Sequence, residues 1–342
     1  MDRTAIGRGK LMAAGLAGSS EMFGFLLCPG HPMLSVSAAI DVLALANYVG
    51  GRQLYSWCTI SQQDGMVQSM NGLNVQADYS LKDAPYLSTA IVCCGIDGHQ
   101  QATSEVLAWL RRVKAGGTSV GAVSTGSWVL ARAGLLEGRR CTIHWEDRAP
   151  FRETFPDLNV TEAIFETDGP VFTCSGGTAV VDLTLTFVAA AHGIDLANKV
   201  AEQLLHDAIR SPAAAAALNQ RRRLGITNPH VRKAVQIMER NLEDPIPLPE
   251  IAVATGLSQR HLDRLFHAHL GRSPKRYYLE CRLRLARSLI RQTDLPVFET
   301  ALACGFSSSS YLAKWYVQQF GSTPLEERRA FAAAAASHDK DL

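Results

Sequence analysis

The sequence predicts a three-layer α/β domain followed by an all-α domain, and three observations carry the prediction. From about residue 22 to 192, short apolar β-rich runs alternate with amphipathic helical stretches, the pattern of a mostly parallel sheet covered on both faces. Beyond Thr227 strand signals stop and the apolar residues recur with helical period. Charge divides at the same place: residues 1–220 hold 15 Lys+Arg against 20 Asp+Glu (net −5), whereas residues 221–330 hold 18 against 10 (net +8), a contrast hidden in the formal total of +2. A chain of 342 residues has the length of two domains, and 47% hydrophobic with 19% charged residues excludes a disordered regulator or a coiled-coil rod.

Expected strands are Met22–Cys28, Leu54–Ile60, Thr89–Cys94, Ser119–Val123, Arg140–Ile143, Asn159–Thr161, Ile164–Thr167 and Val171–Cys174, each short, apolar and rich in β-branched or aromatic residues. Helices are expected between them at Met33–Tyr48, Ser104–Ala115, Ser127–Ala133, Trp145–Glu153, Thr178–His192 and Leu196–Ile209. Pro212, five consecutive alanines and Arg221-Arg222-Arg223 mark a connector over residues 211–227. Seven helices are expected after it: Pro229–Leu242, Leu248–Thr255, Gln259–Leu270, Pro274–Arg291, Pro296–Ala303, Ser309–Phe320 and Pro324–Ala334. The organisation is thus a tail (1–20), an α/β domain (21–210), a connector (211–227), a helical domain (228–332) and a second tail (333–342). Eight scattered cysteines with no CxxC pair read as buried thiols in a reducing cytosol, and no metal site or cofactor is expected. No run approaches about 18 consecutive apolar residues, so no membrane span is expected.

The helical domain contains a repeat. Ala252-x-x-x-Gly256-Leu257-Ser258 recurs as Ala301-x-x-x-Gly305-Phe306-Ser307, and Leu262 to Pro274 recurs, after one extra residue, as Leu312 to Pro324. Each unit reads as a helix ended by glycine, a tight turn, a capping serine and a longer amphipathic helix, the layout of a helix-turn-helix. At about 100° per residue, Arg264 and His267 fall within about 40° of Arg260, while Leu262, Leu265 and Phe266 lie opposite. Ser310 and Lys314 share the outer face of the second unit. A single helix of this kind would read as an ordinary solvated face; a tandem pair favours two major-groove readers.

These residues resemble the AraC/XylS family of transcription regulators. The resemblance covers about residues 228–331 and includes Gly271, Pro274, Tyr278, Arg282, Ala286, Tyr311, Phe320-Gly-Ser-Thr-Pro324 and Arg329. It implies double-stranded DNA as partner, contacted by Arg260, His261 and Arg264 from the first unit and Ser309, Ser310 and Lys314 from the second. Lys275 and Arg276, at the start of the helix joining the units, are the expected phosphate contacts. RNA polymerase and a second copy of the chain are the further partners such a regulator implies.

In the first domain, Ser119-Val-Gly-Ala-Val-Ser124-Thr125-Gly126-Ser127 reads as a strand, a sharp turn and a helix, the shape of a nucleophile elbow. Ile40-Asp41, Cys94-Gly95, Thr142-Ile-His144-Trp145 and Ser175-Gly-Gly-Thr-Ala179 with Asp182 complete a resemblance to the class I glutamine-amidotransferase-like superfamily, PfpI-type members included, which implies a flavodoxin-like sheet. Enzymes of that superfamily carry cysteine at the elbow; here the aligned residue is Ser124, and their acidic residue after the first strand aligns with Ser35. The expectation is a degenerate, non-catalytic elbow whose residues Ser35, Gly95, Ser124, Thr125, His144 and Trp145 bind a small-molecule effector, with Trp57, Trp128 and Trp145 as an aromatic wall. The resemblance implies an amino acid or a quaternary amine such as a betaine or carnitine as effector, and activation of a catabolic operon. The alternative is a hydrolase or amidase using Ser124, His144 and Glu146 that carries a DNA-binding module; a further one is a DNA binder that ignores small molecules.

Overall fold

The computed structural model describes residues 20–62, 65–212 and 228–338, so the first expected tail up to residue 19, nearly all of the connector and residues 339–342 lie outside the described residues. The strands are β1 (Glu21–Leu27), β2 (Tyr55–Ser61), β3 (Met66–Gln68), β4 (Asn74–Gln76), β5 (Tyr79–Ser80), β6 (Thr89–Cys94), β7 (Ser119–Ser124), β8 (Arg140–Cys141), β9 (Asn159–Val160), β10 (Phe165–Asp168) and β11 (Val171–Cys174). Seven of them form one sheet in the order β10-β11-β7-β6-β1-β2-β5, parallel throughout except for the β10–β11 pair. The hairpin β3–β4 and β5 escaped the sequence because they are short and carry Asn, Gln and Ser rather than an apolar run.

Alternation along β1 explains the two cores. Phe23, Phe25 and Leu27 point to one face and pack with α1 (Met33–Gly50), α5 (Ala179–His192) and α6 (Ile194–Gln203); Leu26 and Cys28 point to the other, where α2 (Ser104–Ala115), α3 (Ser127–Arg132) and α4 (Arg148–Thr154) bring Trp109, Trp128 and Phe151. By length and composition alone α1 could cross a membrane, but it is the covering helix of the sheet, with Val36, Ala39, Val42, Leu43 and Ala46 buried there.

Two helices of the amino-terminal half depart from the sequence expectation by more than two residues at one end. α4 starts at Arg148 because residues 145–147 form a turn closed by Asp147 N donating to His144 O at 3.0 Å. α6 stops at Gln203 because Leu205 turns to φ 52, sending His206 and Arg210 back to the carboxylate of Asp182, which accepts from both at 2.9 and 2.7 Å.

The carboxyl-terminal half is all-α: α7 (Pro229–Arg240), α8 (Leu248–Ala254), α9 (Gln259–Leu270), α10 (Pro274–Gln292), α11 (Val297–Ala303), α12 (Ser309–Phe320) and α13 (Pro324–His338). Side-chain caps open five of these helices: Asn228 accepts from His230 N and Val231 N, Ser258 from His261 N, Ser273 from Arg276 N, Ser308 from Tyr311 N and Thr323 from Glu326 N. The second cap is Ser308 rather than Ser307, so the extra residue of the second repeat sits in its turn. There are two cores: Val235, Leu262, Phe266 and Tyr277 in the first unit, Leu283, Leu289, Leu312 and Tyr316 in the second, with α10 contributing to both.

Polar and backbone contacts fix one unit against the other. Arg276 donates to Glu280 at 2.7 Å and to Gln319 of α12 at 2.6 Å. Arg282 donates to the carbonyls of Cys304 and Gly305 and lies 4.2 Å over the Phe306 ring. Arg287 and Arg291 converge on the buried carboxylate of Glu327, which also accepts from Tyr316. These donors hold Glu327 below the ordinary carboxylate range despite its burial.

Candidate functional site

The base-facing candidates lie on two helices placed by the same local devices. A small residue, Ala252 or Ala301, is buried in the first helix of each unit, the glycine after it takes a left-handed φ (73° at Gly256, 68° at Gly305), and the serine cap starts the next helix. On α9, Arg260 and Arg264 are exposed and His261 is half-buried; on α12, Ser310 and Lys314 are exposed and Ser309 half-buried. Lys275 is exposed at the first turn of α10, while Arg276 beside it spends its guanidinium on Glu280 and Gln319. The positive bias of α10 is thus largely internal: Arg276, Arg282, Arg287 and Arg291 tie elements of this domain together.

The elbow forms at the carboxyl edge of the sheet, where β6 and β7 end with Cys94 opposite Ser124. Ser124 adopts φ 60, a left-handed conformation uncommon for a residue with a side chain. Its surroundings are close-built: a Cβ on Gly176 would lie 2.9 Å from Ser124 Cβ, and one on Gly95 would lie 1.9 Å from Gly30 O, so both positions require glycine. The hydroxyl of Thr125 donates to Gly95 O and is itself buried, which makes Thr125 a brace between the β6 and β7 ends. Ser35 lies in the first turn of α1, also at the carboxyl edge, 1% exposed and, among the described residues, with no hydrogen-bond partner for its Oγ. His31, just before α1, is equally buried, its Nε2 without a partner among the described residues; its Nδ1 lies 3.2 Å from Cys28 O, and burial lowers its pKa and favours the neutral ring.

His144 is bound to the elbow by its backbone, its N donating to Ser124 O at 3.2 Å. Its Nδ1 lies 3.9 Å from Glu146 and 4.0 Å from Asp147. Trp145 is 42% exposed and tilts against the His144 ring at 5.5 Å. The expected wall of three tryptophans does not form. Trp128 faces the core, 1% exposed, and donates Nε1–H to Asp147 at 3.2 Å; Trp57 sits in the amino-terminal half of β2 opposite Phe23, away from the elbow edge. Asp147, unremarked in the sequence, is buried beside Trp128, and this burial pushes its carboxyl up to about 7 against the opposing Trp128 hydrogen bond. A cavity of about 350 Å³ lies at the other edge of the sheet, lined by Glu21, Phe23, Thr89, Phe172 and Phe187, and is not part of the elbow. Among the described residues no group of three or more His, Cys, Asp or Glu could hold a metal ion.

The loop carrying His144 also meets the helical half. The Ser288 hydroxyl of α10 lies 3.2 Å from Glu146 O and equally 3.2 Å from Gln292 Oε1, α4 packs on α10, and His99, following β6, stacks on Phe331 of α13 at 6.5 Å between ring centroids. The contacts between the two halves had no sequence signal, since they join residues far apart in the chain, 142 positions in the case of Ser288 and Glu146.

This combination, an elbow-bearing parallel sheet beside a capped tandem helix-turn-helix, defines a class of DNA-binding regulator. A helix-turn-helix domain family matches residues 251–330 and the DJ-1/PfpI family matches residues 38–190. The chain is 38% identical to the HTH-type transcriptional regulator GbdR of Pseudomonas aeruginosa, over 90% of this chain and 84% of that protein, and 40% identical to the HTH-type transcriptional regulator CdhR of the same species, over 90% and 92%. It is also 33% identical to isonitrile hydratase of Pseudomonas putida, over 53% of this chain and 76% of that enzyme, so the fold of the first half is shared with an enzyme. The chain belongs to the AraC family of HTH-type transcriptional regulators, in the group with a DJ-1/PfpI-like amino-terminal half.

Proposed function

We propose that the protein is a cytoplasmic transcription activator of a catabolic operon whose PfpI-like half binds a small zwitterionic metabolite, a quaternary amine or an amino acid, at the elbow without transforming it. The observation that carries this reading is the loop of residues 144–147: one end is hydrogen-bonded to the elbow at Ser124 O, and the other lies against the helix joining the two helix-turn-helix units at Ser288. A ligand that changes the loop at one end changes the seating of α10 at the other, which supplies the differential affinity for two states that any effector response requires. The Ser35 hydroxyl, without a hydrogen-bond partner among the described residues, and the exposed Trp145 ring offer a polar group and a cation-binding face to such a molecule. Serine at the elbow, with a second serine where enzymes keep an acid, supports binding over catalysis, because a hydroxyl is far less acidic than a thiol and needs a well-placed base. DNA is reached through Arg260, His261, Arg264, Ser309, Ser310, Lys314 and Lys275, with RNA polymerase and a second copy of the chain as protein partners.

The test is a thermal-shift screen of the full chain against glycine betaine, carnitine and the common amino acids, followed by operator binding with and without the stabilising compound. A ligand that stabilises the protein, alters operator affinity and loses that second effect in Ser288→Ala supports the proposal. No stabilisation by any of them, or turnover of a candidate amide or nitrile abolished by Ser124→Ala, overturns it.

A further inference from the structure

We propose that Asp263, a carboxylate on the groove-facing side of α9, is a selectivity residue of the first reading helix: it accepts a hydrogen bond from the N4 amino group of an operator cytosine and repels the DNA backbone elsewhere. At about 100° per residue, Asp263 and His267 lie about 60° and 20° to one side of Arg260 while Arg264 lies about 40° to the other, so the four occupy one arc of about 100°. Leu262 and Phe266 on the opposite side are fully buried, which fixes that arc outward. The Asp263 side chain is half exposed, with His267 Nε2 at 3.8 Å one turn further on. It also borders a cleft of about 460 Å³, shared with Gln259, Arg260, Leu248 and Pro274, that opens beside the start of α10.

The chemistry follows from what a carboxylate can and cannot do against DNA. It has no donor, so every phosphate and every guanine O6, N7 or thymine O4 it approaches repels it. Cytosine N4 and adenine N6 carry the amino hydrogens it can accept. Adenine places the acceptor N7 beside its amino group, which suits an amide that also donates and penalises a carboxylate; cytosine carries no such acceptor. Arg260 and Arg264, within a turn of Asp263, have the opposite preference, the O6 and N7 pair of guanine. The helix face is therefore an alternation of guanine-seeking cations around one cytosine-seeking anion, in a domain whose excess positive charge would otherwise bind any duplex.

The experiment uses the full chain at one fixed salt concentration. Preferred duplexes are selected from a randomised pool with the wild-type protein, Asp263→Ala and Asp263→Asn, and affinity for a scrambled duplex is measured alongside. Asp263→Ala is expected to bind the scrambled duplex more tightly and to lose a cytosine preference of about fivefold to tenfold at one position; Asp263→Asn, nearly isosteric and able to bind N6 and N7 together, is expected to move that position towards adenine. Arg264→Ala, by contrast, weakens binding to both duplexes. Unchanged base preferences in both Asp263 variants, or weaker binding of the scrambled duplex by Asp263→Ala, overturns the proposal. Equal melting temperatures of the three proteins separate either outcome from a loss of fold.

Discussion

The two turn glycines of the repeat look equivalent in sequence and are not equivalent in space, which makes Gly305→Ala and Gly256→Ala an internally controlled pair. Both have left-handed φ, 68° and 73°, so a side chain at either costs about 1–2 kcal/mol of backbone strain. At Gly256 an added Cβ meets nothing within 4 Å; at Gly305 it lies 2.6 Å from Pro245 Cγ and 2.7 Å from both Leu242 O and Glu243 O, in the segment joining α7 to α8. Two of those three atoms are backbone, so the second turn must withdraw from the first unit, and overpacking of this kind costs about 1–3 kcal/mol more. For a domain of this size each kcal/mol is about 4–8 °C in melting temperature. Scanning calorimetry of the full-length variants is therefore expected to place the helical transition of Gly305→Ala at least about 4 °C below that of Gly256→Ala. Gly305→Ala should also lose operator affinity, because the withdrawn turn carries the cap of α12. Equal melting temperatures would refute the argument that the second turn is seated against the first unit.

Ser124→Gly is expected to stabilise the amino-terminal half by about 1 kcal/mol in urea unfolding, by relieving φ 60, while abolishing any effector response; destabilisation would mean that the serine side chain is held there by packing alone. Asp147 is a buried acid with its pKa raised to about 7, so the folded state holds a proton that the unfolded chain releases near the ordinary carboxylate value. Stability from this group is therefore full at low pH and falls as pH rises from about 4 to about 7; Asp147→Asn, which keeps the acceptor for Trp128, should flatten that part of the profile, and an unchanged slope would refute the assignment. Arg210→Ala leaves the fully buried Asp182 with His206 as its remaining side-chain partner and should cost about 1.5–3 kcal/mol by thermal or urea unfolding; a neutral effect would show that the latch closing the amino-terminal half is dispensable.

What the sequence made legible is what repeats or alternates locally. Ala252 and Ala301, Gly256 and Gly305, and the apolar positions Leu262 and Leu312 declare the two units because each unit needs the same close helix crossing, left-handed turn and buried face. The elbow was legible because a strand, a sharp turn and a helix leave a contiguous pattern around Ser124. What escaped depends on which distant surface a side chain meets. Trp57 and Trp128 are indistinguishable from Trp145 in a string of letters; strand register sends the first to the far half of the sheet and helix phase sends the second into the core. Arg276 and Lys275 are adjacent cations, yet only the fold puts Gln319 within reach of the first. Aligning the repeats by identity pairs Ser258 with Ser307, and only the extra residue before Leu312 moves the cap to Ser308.

Because Gly305 abuts the first unit and Arg276 reaches Gln319 in the second, the reading helices are held as a ruler rather than as two beads on a string. A base pair inserted between their half-sites rotates one half-site about the duplex axis by roughly 34–36°, an error that these two contacts keep the reading helices from following. The DNA must absorb it by twisting or bending, so the tolerance of an operator to spacing changes becomes a property of its own intervening steps, greatest where flexible pyrimidine–purine steps lie between the two contacts.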